Sequence, residues 1–334
     1  MMEQNEQMTI NYDIKGKKGM KRAGLFFFLL MIIEIPMSIV VRKVQDLFPA
    51  EKGTLVSVLV TQGYLLLSAI IYMIVTGKSF TKDLNIKKYK VSSFFLSLVL
   101  LMCASPMANW LNVLSQFFAK NQTGQAIFEI TENVPVWLGI LIIGCLPGFV
   151  EETIYRGIMY TAFSKYSVLV GVIVSALSFG LMHLNFNQML YAIYLGTVFA
   201  LLVEATGSLL STMILHMLFN AVNTMYLYLL PKLFEFAKQF GVSDSWLNME
   251  EMMNKTPTTM ELVSALMVFT PLAGVGIVLS VLLLKKIAQI NGRTLTWKSI
   301  SEKKEVLENK EPVNIWLILG WIICLIFCVI NMLF

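Results

Sequence analysis

Long apolar runs separated by short polar or basic stretches dominate the chain, and their lengths set its architecture. Runs of about 17 to 25 apolar residues can cross the hydrocarbon core of a bilayer as helices. Nine lie near residues 24–41, 54–76, 91–114, 135–160, 167–184, 188–203, 208–230, 260–284 and 313–333. They predict an all-α, polytopic integral membrane helix bundle of about eight to nine transmembrane helices. The connections divide it into a basic cytoplasmic N-terminal tail (1–22), N-terminal transmembrane helices and loops (23–134), a four-helix core (135–230), an extracytoplasmic loop (231–259) and a C-terminal pair with a basic cytoplasmic linker (260–334). Pro231 to Pro257 mixes aromatics with acids, so short amphipathic helices along the outer interface are expected there. The polar stretch "SISEKKEVLENKEP" is expected to be a solvated linker.

Composition agrees with the pattern. The chain is 57% hydrophobic and only 14% charged, with a mean hydropathy of +0.70, far more apolar than a soluble domain of this length. Lys and Arg are retained on the cytoplasmic side of membranes. Lys15, Lys17, Lys18, Lys21 and Arg22 precede the first run, and Lys78, Lys82, Lys87, Lys88 and Lys90 follow the second. Lys285, Lys286, Arg293, Lys298, Lys303, Lys304 and Lys310 follow the eighth. These place the N-terminus in the cytoplasm of a multi-pass cell-membrane protein, although Arg42 and Lys43 dissent mildly. The net charge of +5 therefore reads as topology and attraction to anionic lipid, with no nucleic-acid face. The first run lacks a small-residue cleavage site and reads as a retained anchor. The four cysteines, Cys103, Cys145, Cys324 and Cys328, lie inside apolar runs without ligand spacing.

One stretch breaks the pattern. "PGFVEETIYRG", residues 147–157, sets Glu151, Glu152 and Arg156 inside an apolar run, where each charge costs a few kcal/mol and persists mainly at a site or in a pair. Glu152 and Arg156 are four apart and can pair on one helix face, which leaves Glu151 about 100° around to face elsewhere. The only two histidines lie in the same core: His183 is four residues after Phe179 in "FGLMH", and His216 four before Asn220 in "HMLFN". Helical rise tests whether these groups meet. Glu151 lies roughly 20 Å above the turn near Lys165, and His183 roughly 25 Å above it. His216 and Asn220 lie roughly 13 and 19 Å above the turn near Ala205 to Ser208. The four groups therefore share nearly one level.

Glu, His, His and Asn at membrane depth form a chemical set. A carboxylate and an imidazole can hold a water and take its proton, while a second imidazole and an amide donate to an oxyanion. That is the equipment for peptide hydrolysis without a covalent intermediate. Two imidazoles and a carboxylate are also familiar zinc ligands. No HExxH is present, so the zincin arrangement is missing. The GxGD of intramembrane aspartyl proteases and the serine motif of rhomboids are missing too. Cys145 is disfavoured as a nucleophile. Glu34 and Glu204 receive no role, Glu204 being expected at the inner interface.

At these residues the chain resembles a known family. "EETIYR" is similar to the EExxxR motif, "FGLMH" to FxxxH and "HMLFN" to HxxxN of the CAAX-protease and bacteriocin-processing (CPBP) family of integral membrane endopeptidases, over about residues 135–225. The resemblance implies that Glu151 is the general base, that His183 helps to position the water, and that His216 with Asn220 stabilises the oxyanion. Glu152, Arg156 and Phe179 would support them. It implies a glutamate-type endopeptidase, of a family formerly labelled metalloprotease, with no cofactor and no metal, zinc being the less favoured alternative. Its partners would be the lipid bilayer and a membrane-associated peptide or protein substrate: prenylated proteins in a eukaryote, peptide precursors in a bacterium. Short loops point to a bacterial plasma membrane. The site is expected to open toward the cytoplasmic side. The rival reading is a catalytically silent peptide-binding immunity or scaffold protein, which has no need of all four polar groups. A proton-relay transporter would show an inverted repeat, and none is evident.

Overall fold

The computed structural model describes residues 2–241, 256–303 and 312–333, and every regular element among them is helical. In chain order these are α1 (Met2–Asp46), α2 (Ala50–Thr76), α3 (Val91–Ser115), α4 (Gln122–Asn133) and α5 (residues 136–163). They continue as α6 (Val168–Leu181), α7 (Phe186–Thr206), α8 (Leu209–Gln239), α9 (Thr259–Ile290), the short α10 (Trp297–Ser301) and α11 (Ile315–Leu333). Eight of these helices are long and apolar enough to cross a membrane, and the chain is an all-α multi-pass membrane bundle.

The fifth apolar run, 167–184, folds as the 14-residue α6, roughly 21 Å long and so shorter than the hydrocarbon core. Ser167 starts it by accepting the Val170 N–H, and left-handed Leu184 (φ 51°) ends it. Other boundaries also depart from the hydropathy pattern. Helix α1 extends back to Met2, well before its apolar run, because nothing between Met2 and Lys21 is a strong helix breaker except two glycines, Gly16 and Gly19. Helix α8 runs through Pro231 to Gln239, so the first part of the expected outer loop continues the helix. The rest of that loop, and most of the linker after Ser301, fall outside the described residues. Helix α4 is an amphipathic element that the apolar runs do not announce.

Helix α5 is the axis of the core. Val150, Ile154, Tyr155, Ile158, Met159 and Phe163 are all fully buried, with α6 and α8 against it, while α1, α2, α9 and α11 turn large apolar side chains outward. Lipid is as apolar as leucine, so helices gain most where small residues let backbones approach. Gly144 and Gly148 form such a pair on α5. A Cβ at Gly144 would lie 3.2 Å from the Ala221 backbone of α8, and one at Gly148 only 2.7 Å from the Met217 nitrogen. This contact carries α8, with His216 and Asn220, up against the glutamates.

Gly148→Ala should therefore force α8 away, at the overpacking cost of about 1–3 kcal/mol. Gly274→Ala, on α9 with nothing near its added methyl, should be neutral or slightly stabilising, as Ala is in an open helix. Thermal melting of the two variants in detergent checks this; equal melting temperatures would contradict the close-approach account.

Candidate active site

The backbone of α5 is irregular where the charges sit. Two π-helical stretches, Ile140–Cys145 and Thr153–Tyr160, flank a short α-helical one, Leu146–Glu152. Such widened turns recur at functional sites. The two glutamates close the α-helical stretch and, being adjacent, face different directions. Glu152 is fully buried, while Glu151 keeps 7% of its surface at the edge of a cavity.

Glu152 lies in a chain of charge. Arg156 Nη1 donates to its Oε1 at 2.7 Å, the i,i+4 pair that the spacing predicts, and both side chains are wholly buried. His216 Nδ1 lies 3.0 Å from the same oxygen. An ionised carboxylate only accepts, so Nδ1 carries the proton, and Nε2 is left facing Glu151, 3.8 Å from its Oε2. The Arg156 guanidinium is stacked over the Phe179 ring at 4.3 Å and the Phe199 ring at 5.4 Å, which suits a planar, weakly hydrated cation. Gly196 makes the room: a Cβ there would sit 3.0 Å from Arg156 Nη2.

Phe179 joins both histidines to this cluster. Its ring meets His183 edge-on at 5.1 Å and His216 edge-on at 5.7 Å. Its carbonyl, 2.8 Å from His183 Nδ1, can only accept, so it fixes that nitrogen as the donor and frees Nε2 as an acceptor. The next residue, Leu184, holds a left-handed backbone (φ 51°) that a branched side chain pays for, and such strain tends to gather at functional sites.

Glu151, His183, His216, Asn220 and Phe179 all line one cavity of about 440 Å³. Three helices and the turn after α6 thus bring together the four groups that the sequence singles out. Glu152 and Arg156 stand behind the wall. Cys145 does not line the cavity. Glu204 lies away from it, accepting from Tyr160 Oη at 2.5 Å and from Arg293 Nη1 at 2.9 Å.

Several residues were not found from sequence. Gln62 on α2 donates to Glu151 Oε1 at 3.2 Å and is itself buried. Asn109 and Asn112 on α3, Asn121 at the start of α4, and Asn223 on α8 also line the cavity. A lone glutamine in an apolar run, and asparagines three apart on α3, were the available signals. The direction of opening also differs from expectation. The exposed lining residues Asn109, Asn121, Asn223 and Tyr226 belong to the end of the bundle that carries α4. The basic connections lie at the other end. The four motif groups share one level as expected, but the groove above them leads away from the loops assigned to the cytoplasm.

Among the described residues, no group of three or more His, Cys, Asp or Glu side chains is arranged to hold a metal ion. Residues 133–222 match the family model described as Rce1-like, type II CAAX prenyl endopeptidase, and this bears out the resemblance carried by the three motifs. No curated protein and no solved structure matches the chain.

The charge chain makes a stability prediction. Arg156→Met strands Glu152 as an unmatched buried charge and should cost about 3–5 kcal/mol. The double variant Arg156→Met with Glu152→Gln removes both charges and should recover much of that loss. Melting of the two single variants and the double variant forms a cycle; strictly additive losses would show that the pair is not coupled.

Proposed function

We propose that this chain is an intramembrane endopeptidase of the CAAX-protease type, in which Glu151 activates water for attack on a peptide bond. The observation that carries this reading is the meeting of Glu151, His183, His216 and Asn220 on one cavity, within the segment that matches an endopeptidase family model.

Geometry suggests a role for each group. Water would sit between the Glu151 carboxylate and His183 Nε2, both free to accept. Gln62 holds one Glu151 oxygen and leaves the other to take a proton. As the water oxygen adds to the carbonyl carbon, that proton passes to Glu151, and negative charge develops on the carbonyl oxygen. Asn220 Nδ2 and His216 Nε2 are the donors for this oxyanion. Since His216 Nδ1 already donates to Glu152, its Nε2 can donate only as the imidazolium. Collapse breaks the C–N bond, and the proton on Glu151 goes to the leaving amine, so no acyl-enzyme forms. Each donor acts where water is scarce and field effects are strong.

The reading is tested in cells. Membrane and secreted peptides compared between wild type and Glu151→Ala should show a precursor that accumulates in the variant; identical profiles under conditions where the wild type is expressed would count against hydrolysis. With the purified protein and that precursor, Asn220→Ala should be slower by about 10²- to 10³-fold yet still active, as the loss of one oxyanion donor implies. Prolonged chelation should leave the wild type active. One zinc per chain, lost in His183→Ala and restored together with activity, would instead make the protein a metalloprotease.

A further inference from the structure

The two ends of the bundle differ in charge, and hydrogen bonds tie each end together. At one end Leu209 N–H donates to the Asn85 carbonyl at 3.0 Å, joining the loop between α2 and α3 to the α7–α8 turn. Arg293 donates to the Glu204 carboxylate at 2.9 Å, and Lys303 lies 5.8 Å over the Tyr166 ring. Asn314 donates to the Met20 carbonyl at 3.1 Å, so the starts of α11 and α1 are at this end as well. The Lys17–Arg22 segment, Lys82, Lys87, Lys88, Lys90 and Lys298 are therefore gathered on one face of the molecule.

The other end holds the α6–α7 turn, tied to the last turn of α11 by Asn331 donating to the Leu184 carbonyl at 2.8 Å. It also holds α4 and the end of α3, where Asn187 Nδ2 donates to Ser115 Oγ at 2.8 Å. Among the described residues its cations, Arg42, Lys43, Lys52, Lys120, Lys232 and Lys238, are offset by Asp46, Glu129, Glu132, Glu235 and Glu261. The cavity belongs to this end. No residue of the basic connections lines it, and its exposed lining comes from Asn109, Asn121, Asn223 and Tyr226.

We propose that the cavity is entered from the extracytoplasmic face, and that the substrate is a peptide segment presented on that face and held through its main chain. The proposal rests on the endopeptidase reading above for what happens inside the cavity, and on charge for which side it faces. Retention of Lys and Arg in the cytoplasm fixes the basic end inside, which turns the mouth outward. The mouth's exposed side chains are uncharged amides and a phenol. A side-chain amide both donates and accepts, as a peptide unit does, so this lining suits an extended main chain and selects no acidic or basic side chain. A lipidated C-terminus made in the cytoplasm lies on the wrong side of the membrane for this site.

The test reads accessibility and needs no substrate. Single cysteines Asn121→Cys, at the mouth, and Lys88→Cys, in the basic loop, are placed in a full chain whose Cys103, Cys145, Cys324 and Cys328 are changed to Ala. A membrane-impermeant maleimide added to intact cells should modify Asn121→Cys, and Lys88→Cys only after permeabilisation. Labelling of Lys88→Cys in intact cells, alone or together with Asn121→Cys, overturns the proposal. If the cysteine-free chain fails to accumulate, a site-specific protease sequence inserted between Lys120 and Asn121 of the wild-type chain gives the same answer. Protease added outside should cut it in intact cells, and resistance there with cleavage after permeabilisation overturns the proposal. Failure of the endopeptidase reading would appear elsewhere, as unchanged peptide profiles in Glu151→Ala, with these accessibilities unaffected.

Discussion

A guanidinium with no exposed surface must be matched inside the protein, and the way Arg156 is matched organises everything around it. Its charge is met by Glu152 and its faces by Phe179 and Phe199. Breaking such a buried pair costs far more than the pair contributes when intact, because the remaining partner is left uncompensated. The pair is therefore a constraint on geometry more than a source of stability. Glu152 cannot rotate away from Arg156, so the oxygen that receives the His216 proton is fixed. His216 in turn can present only Nε2 toward Glu151. The partner of Nδ1 and the direction of Nε2 are thus set by a cation that does not line the cavity.

Close approach of backbones makes this chain of contacts attainable. Gly148 and Gly144 let α8 lie against α5, and Gly196 leaves the volume that Arg156 and Phe179 fill. Larger residues at Gly144 or Gly148 would push α8 away from α5 and part His216 from Glu152. The π-helical turns on either side of Leu146–Glu152 add a second degree of control. Each inserts an extra residue into its turn, which shifts the faces that precede and follow the glutamates relative to one another. The same helix can therefore bury Arg156 in the core and keep Glu151 at the cavity edge.

Much of this was legible in the chain, because it rests on local spacing. The apolar runs announce the long helices, and i,i+4 spacing places Glu152 with Arg156 and Phe179 with His183 without knowledge of the fold. What escaped depends on contacts distant in sequence or on backbone detail. Gln62 reads as a stray polar residue until the fold sets it beside Glu151, 89 positions away. Helix α4 has a polar face and only 12 residues, so hydropathy merges it with the loop. The shortness of α6 follows from the left-handed Leu184 and the Asn185 cap on α7, and apolar composition continues to that point without a break. The side on which the cavity opens could not be read from motif positions, since it depends on which ends of α3, α4 and α8 surround the mouth.

The central claim, that Glu151 takes the proton from the attacking water, is tested most directly by Glu151→Gln in the purified protein. That change keeps the shape of the side chain and its contact with Gln62 but removes the base. Single-turnover cleavage of an accumulated precursor should fall by about 10²- to 10⁴-fold, the range of general-base assistance, while the melting temperature stays near that of the wild type. Wild-type cleavage by a folded Glu151→Gln protein would contradict the account.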